Sequence, residues 1–96
     1  MYGLIGKMLA VPGKREELLA IMLEGSVPMP GCQSYVIARD PASTEGIWIT
    51  EVWDSKDSHM ASLTISAVQE TIARARPLIA GFGERFETEP LGGQGV

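Results

Sequence analysis

The stretch GIWITEVWDSKDSHMASL, residues 46–63, decides the fold because it predicts a β-strand that runs directly into a helix. Side chains of a strand alternate between the two faces of its sheet. One face of this strand is expected to carry Ile47, Ile49, Glu51 and Trp53, and the other Trp48, Thr50 and Val52. Both faces are mostly apolar. We therefore expect the strand to be covered twice, by helices and a second sheet or by two layers of its own chain.

The predicted helix carries His59, the only histidine of the chain. Asp54 is the predicted N-terminal cap, so His59 falls about one turn into the helix. The helix dipole disfavours a cation at that end, which favours a neutral imidazole able to accept a proton. His59 is thus the candidate general base. The alternative is a histidine that only packs, or faces solvent, on an amphipathic helix.

The rest of the chain predicts three more strands and two more helices. With the strand at 46–53, the predicted strands cover residues 2–11, 32–39 and 82–88. The other two helices cover residues 14–24 and a segment from Ser66 to Pro77. Ser66 and Gln69 have the spacing of a capping box. The order βαββαβ predicts a ferredoxin-like α+β fold, with helices on one face of a four-stranded antiparallel sheet. Residues 1–90 form the expected single domain, and residues 91–96 a flexible glycine-rich tail.

Composition restricts the possible partners. The 96 residues are 45% hydrophobic and 21% charged, with a net charge of −4, which argues against a nucleic-acid or anionic-membrane partner. We expect a cytoplasmic protein, since no apolar run spans a bilayer and no secretory signal is recognised. One cysteine and one histidine make a zinc site unexpected. So short a chain has trouble covering both sheet faces alone, so a homodimer is expected.

Other side chains are candidates for a small-molecule site. Tyr35 and Arg39 share a face of the second strand, where they could hydrogen-bond a phenolic or carbonyl oxygen. Glu51, on a doubly covered strand, needs a partner, which Lys7, Arg39 or Arg85 could supply. The alternative is a structural ion pair. Trp48 and Trp53 point to opposite faces, so only one of them can line a given pocket, and both could simply be core residues.

No phosphate-binding loop, paired-cysteine motif, nucleophile elbow or HExxH motif occurs in the sequence. Any catalysis is therefore expected to use general acid and base groups in an apolar pocket, without a bound nucleotide or metal.

Several short motifs, taken in order, resemble the antibiotic biosynthesis monooxygenase family. They are VPG at residues 11–13, PGC at 30–32, EVW at 51–53, SHMASL at 58–63 and RPLIAGF at 76–82. Each motif is short, and the specificity lies in their order and spacing. The resemblance extends over residues 2–89.

The resemblance implies a dimeric α+β barrel, with a ligand cavity between sheet and helices in each subunit. It also implies a cofactor-independent oxygenase that deprotonates a quinol or polycyclic phenol, whose anion then reduces O2 directly. His59 would be the base, and the substrate would be positioned by Tyr35, Arg39, Glu51 and one of Trp48 and Trp53.

Other functions follow from the same resemblance. One is a non-catalytic dimer that binds a small apolar metabolite as a sensor or accessory subunit. A haem-degrading branch of the family is disfavoured, because Lys7 stands where that branch has an asparagine, residues 55–76 contain no tryptophan, and His59 comes too early. A regulator's ligand-binding domain shares the barrel, but no helix-turn-helix is recognised here.

Overall fold

The computed structural model describes residues 1–96 and has the predicted βαββαβ order. The strands are β1 (Tyr2–Ala10), β2 (Cys32–Arg39), β3 (Gly46–Trp53) and β4 (Ile79–Thr88), and the helices are α1 (Arg15–Glu24), α2 (Lys56–Ser62) and α3 (Ser66–Ala75). A 3₁₀ turn, Arg76–Leu78, joins α3 to β4. The strands pair antiparallel in the order β2-β3-β1-β4. The ferredoxin-like α+β fold is confirmed.

The helices pack on one face of the sheet, where the apolar core lies in two clusters. The larger cluster joins α1 and α3 to β1 and β3 through Ala10, Leu18, Leu19, Met22, Ile47 and Ala75. Leu18 and Ile47 have no exposed surface. The smaller cluster, Tyr2, Leu4 and Trp53, lies where β3 leads into α2. This helix-covered face positions the site described below.

The opposite face of the sheet has no covering layer within the chain. One row of side chains crosses all four strands through the paired positions Val36, Thr50, Ile5 and Phe86. Val36 and Phe86 each keep 52% of their surface exposed. We refer to this side of the sheet as the open face.

A bulge in β4 corrects one expectation from the sequence. Simple alternation places Phe82 and Phe86 on the same face. In the structure Met8 pairs with Phe82 and Gly6 with Arg85, so two steps along β1 match three steps along β4. The additional residue reverses the alternation. Phe82 therefore lies on the helix-covered face, and Phe86, opposite Ile5, lies on the open face.

The beginnings of α2 and α3 also differ from the prediction. Ser55, not Asp54, caps α2, and its hydroxyl oxygen accepts a hydrogen bond from the Ser58 backbone N–H at 3.1 Å. Ser66 is the first residue of α3, and the residue before it makes no side-chain cap. The predicted capping box is therefore wrong.

Three expectations about the chain as a whole remain predictions: its cytoplasmic location, its domain boundary and its flexible tail. None of the helices is long and apolar enough to cross a membrane. The cytoplasmic location stays a prediction. Residues 89–96 lie beyond the last strand. The domain boundary at residue 90 and the flexibility of residues 91–96 also stay predictions.

Two glycines provide a matched test of how α2 is held. Gly13 and Gly31 both have a left-handed backbone, with φ near 80° and 81°. A Cβ on Gly31 would lie 2.6 Å from Asp54 Oδ1 and 2.7 Å from Ser58 Cβ, whereas a Cβ on Gly13 would meet no atom within 4 Å. Gly31 is therefore the position at which the loop before β2 touches α2.

We expect Gly31→Ala to lower the free energy of unfolding more than Gly13→Ala. Both substitutions place a side chain in the left-handed region, at a cost of about 1–2 kcal/mol. Gly31→Ala also forces apart a packed contact, which adds about 1–3 kcal/mol. Urea unfolding followed by tryptophan fluorescence measures both values. Equal losses would show that the contact between Gly31 and α2 is not required.

Candidate active site

A cavity of about 320 Å³ lies between the sheet and the helices. Its wall is largely apolar and comes from the sheet, from α1 and the loop after it, and from α2 and α3. The lining residues are Met8, Met22, Gly25, Ser26, Met29, Tyr35, Ile49, Glu51, Trp53, His59, Ser62, Leu63, Val68, Thr71, Ile72, Ala75, Ile79 and Phe82. An apolar cavity with a few convergent polar groups is typical of a small-molecule site.

His59 reaches this cavity from the inner side of α2. Its side chain is only 12% exposed. The imidazole lies between two aromatic rings, with centroid separations of 5.4 Å to Trp53, edge to face, and 5.6 Å to Tyr2. The Ser62 hydroxyl, one turn later, donates to the His59 carbonyl at 2.6 Å. His59 therefore has a fixed, mostly enclosed position.

Glu51 lies across the cavity floor from His59. Its side chain is 11% exposed, and Oε1 accepts a hydrogen bond from the Trp53 indole N–H at 3.0 Å. His59 Nε2 is 3.8 Å from the same oxygen, too far for a direct hydrogen bond. The other ring nitrogen, Nδ1, is buried without a hydrogen-bond partner. Nε2 and Oε1 therefore face each other across a gap that one hydroxyl group or water could bridge.

The partners expected for Glu51 were wrong. Lys7 pairs with Asp40 at 2.9 Å, and Arg39 pairs with Glu16. Arg85 makes no ion pair with Glu51, although its charge favours the ionised carboxylate. The polar neighbours of Glu51 are instead Trp53, two residues away on the same strand face, and His59 on α2.

Burial controls the protonation of the acids in the cavity. Burial raises the pKa of Glu51, although the hydrogen bond from Trp53 and the charges of His59 and Arg85 oppose that shift. Burial also raises the pKa of Tyr35 strongly, and the negative charge of Glu51 raises it further. Tyr35 is therefore a neutral phenol that can donate a hydrogen bond. The cavity disfavours isolated negative charge.

The structure brings together four of the six predicted site residues. His59, Glu51, Trp53 and Tyr35 all line the cavity. Trp48 lies on the open face, where the Lys7 ammonium is 5.6 Å from its ring centroid.

Arg39 is also outside the cavity. Its guanidinium donates to both carboxylate oxygens of Glu16 in α1, and its side chain is 60% exposed. Arg39 shares a sheet face with Tyr35 but lies at the far end of β2.

Sequence reasoning missed several residues in or beside the cavity. Tyr2 holds one side of the His59 ring, and its register position opposite Trp53 follows only from strand pairing. Met8, not Lys7, is the β1 residue that lines the cavity. Phe82 lines the cavity although Phe86 does not, because the bulge in β4 separates two residues that simple alternation places on one face. The one signal in the sequence that could have identified Met8 is the alternation of side chains along β1, which puts Met8 and Lys7 on opposite faces of the sheet.

No group of three or more His, Cys, Asp or Glu side chains lies close enough together to hold a metal ion.

A ferredoxin-like sheet with a largely apolar cavity beneath its helices defines an α+β domain of the small-molecule-binding kind. The model of the antibiotic biosynthesis monooxygenase family matches residues 1–74, and the chain belongs to that family. The resemblance seen in the short motifs is thereby confirmed.

Solved structures agree with this assignment. A crystal structure from Chloroflexus aurantiacus J-10-fl, named after the same family, is 59% identical, with 97% of this chain and 95% of that chain covered and a TM-score of 0.92. A family-named structure from Deinococcus radiodurans is 18% identical, with coverage of 97% and 95% and a TM-score of 0.79. Rv0793 from Mycobacterium tuberculosis is 16% identical, with 97% of each chain covered and a TM-score of 0.79. The last two show the fold alone. No curated protein matches the chain.

The hydrogen bond from Trp53 to Glu51 predicts a change in carboxylate titration. Trp53→Phe removes the N–H that favours the ionised form, so burial acts with less opposition and the pKa of Glu51 should rise further. NMR titration of carboxyl-labelled glutamate measures this pKa directly. Trp48→Phe, on the open face, is the matched control and should leave it unchanged. An unchanged Glu51 pKa in Trp53→Phe would show that this hydrogen bond is not made in solution.

Proposed function

We propose that the protein is a cofactor-independent monooxygenase that oxidises a quinol or polycyclic phenol with O2, with His59 as the general base. The observation that carries the proposal is the facing pair of His59 Nε2 and Glu51 Oε1, 3.8 Å apart at the floor of an apolar cavity. A general base must lie within hydrogen-bond reach of the proton it takes, and free enzymes often hold such groups slightly apart.

In this mechanism a substrate hydroxyl binds beside His59 Nε2 and Glu51 Oε1, within hydrogen-bond distance of both, and gives its proton to His59 Nε2. The imidazolium that forms lies beside Glu51, whose carboxylate stabilises it. Because the cavity disfavours isolated negative charge, the substrate anion gains from the imidazolium next to it. Tyr35, kept neutral by burial, can donate a hydrogen bond to an oxygen of the same anion.

The substrate anion then gives electrons to O2, which enters the cavity as a small apolar molecule. One oxygen atom of O2 is added to the substrate carbon. The other leaves as water with two hydrogens from the substrate, so the substrate itself supplies the electrons. In this proposal Trp53 positions Glu51 through its N–H and contributes its ring to the wall, while Trp48 and Arg39 lie outside the reaction site.

The alternative is a non-catalytic protein of the same fold that binds a small apolar molecule, as a sensor or accessory subunit. The enclosed position of His59 between Tyr2 and Trp53 favours it, because a histidine packed in this way can serve structure alone. Both functions use the same cavity. They differ in whether His59 exchanges a proton with the ligand.

We expect the purified, metal-free protein to consume O2 with members of a panel of hydroquinones and anthrone-type phenols. His59→Ala should lower the rate by about 10²–10⁴-fold, the usual contribution of a general base. Glu51→Gln should lower it less, because the proton acceptor remains. Trp48→Phe, on the open face, is the control and should keep the wild-type rate. An oxygen electrode measures each rate.

Each outcome separates the two functions. O2 consumption that survives His59→Ala would keep the oxygenase but remove His59 as its base. Ligand binding without O2 consumption by any compound would favour the binding protein.

A homodimer is the second part of the proposal. The open face exposes apolar side chains, with Val36 and Phe86 half exposed and Ile5 between β3 and β4. A second copy of the sheet would cover it and produce the dimeric α+β barrel that the family resemblance implies. The subunit mass is 10.3 kDa, so a dimer is easily distinguished.

We expect sedimentation at micromolar concentration to give a dimer, and Val36→Lys to shift it towards monomer, because the lysine charge would be buried between two sheets. Leu23→Lys is the control, since Leu23 is similarly exposed, at 59%, but lies on α1 in the helix layer. A wild-type monomer, or equal effects of the two substitutions, would contradict the proposed interface.

A further inference from the structure

A second groove adjoins the cavity, beside the end of α3 and the start of β4. This outer groove also measures about 320 Å³ and is lined by Ile72, Arg76, Ile79, Ala80, Gly81 and Phe82. Ile72, Ile79 and Phe82 line the cavity as well. The two spaces therefore adjoin along these three side chains, with His59 lining the inner cavity and Arg76 the outer groove.

Arg76 is one of two cations of the chain that make no ion pair, the other being Arg85. The chain has eight lysine and arginine residues. Six of them lie 3.6 Å or less from a carboxylate oxygen, namely Lys7, Lys14, Arg15, Arg39, Lys56 and Arg74. Arg85 acts electrostatically on Glu51 and Glu87. Arg76 makes neither an ion pair nor a side-chain hydrogen bond, although acidic residues outnumber basic ones.

The surroundings of Arg76 define what it can bind. It is the only charged residue of the outer groove, whose other lining residues are apolar or glycine. A guanidinium presents parallel N–H donors that match the oxygens of a carboxylate or sulfonate. The apolar walls on both sides suit a flat hydrocarbon ring system. A ligand that satisfies both features is an aromatic compound with an acidic group at one end.

We infer that Arg76 binds an anionic substituent of an aromatic ligand whose ring system extends inward past Ile72, Ile79 and Phe82 to the cavity. The inference rests on the proposed function in one respect, that the cavity receives an aromatic substrate. It adds that the substrate is an aromatic acid. It also adds the orientation of that substrate, with the acidic group outward and the reacting hydroxyl inward beside His59. The inner end suits the hydroxyl because Glu51 would repel an acid there.

Two fluorescent probes test this directly. Anilinonaphthalene sulfonate and phenylnaphthylamine share one ring system, but only the first carries an anion. We expect the wild-type protein to bind the sulfonate more tightly at low salt, and the difference to shrink as salt screens the charge. Arg76→Gln should weaken sulfonate binding about tenfold, and should change phenylnaphthylamine binding by less than about twofold. Arg76→Lys should fall between the two for the sulfonate.

Arg74→Gln is the matched control, because Arg74 lies two residues before Arg76, in the last turn of α3, but pairs with Glu24 at 3.4 Å. It removes the same charge and should leave both affinities unchanged. The inference is overturned if the wild type does not prefer the sulfonate, if Arg76→Gln weakens both probes equally, or if Arg74→Gln has the same effect as Arg76→Gln. Binding needs no turnover, so failure to consume O2 and failure to prefer the anion are separate results.

Discussion

A carboxylate buried beneath the helices is the constraint on which the rest of the site depends. Leaving a buried charge without partners costs several kcal/mol. Glu51 keeps only 11% of its side chain exposed, and its one direct donor is the indole N–H of Trp53, 3.0 Å away. This explains why a fully buried tryptophan stands two residues after a buried glutamate on one strand face. Helix α2 brings His59 Nε2 to within 3.8 Å of the same carboxylate oxygen.

The connection between β3 and α2 sets that geometry. The Asp54 backbone N–H donates to the Gly31 carbonyl at 2.8 Å, and the Ser55 hydroxyl oxygen caps α2 in the next residue. A left-handed glycine lets the loop before β2 approach Ser58 without a side chain between them. The distance of 3.8 Å between His59 Nε2 and Glu51 Oε1 therefore depends on contacts at the start of α2 as well as on the two side chains.

Much of this arrangement could be predicted from sequence because it depends on short-range periodicity. Alternation along β3 placed Glu51 and Trp53 on one face and Trp48 on the other, and the same rule placed Tyr35 with them once β2 paired with β3. What failed depended on residues distant in sequence. Arg39 pairs with Glu16 of α1, and Lys7 pairs with Asp40 of the β2–β3 loop. A bulge that no local sequence pattern predicts changes the sheet face on which Phe82 lies. Ion-pair choice and strand register are decided by tertiary contacts, which periodicity does not encode.

The electrostatics of the cavity connect the proposed chemistry with the proposed ligand. Burial raises the pKa of both Glu51 and Tyr35, which means that the cavity disfavours a single anion. A proton transfer that creates a cation and an anion side by side is less costly there. A substrate hydroxyl within reach of Nε2 and Oε1 meets that condition. Its proton moves to His59, and the new cation and the substrate anion stay next to each other. A permanent acid does not meet it and is better placed at the outer end, where Arg76 has no other partner. The charges in the cavity thus favour one orientation of the proposed ligand, with its hydroxyl beside His59 and its acid beside Arg76.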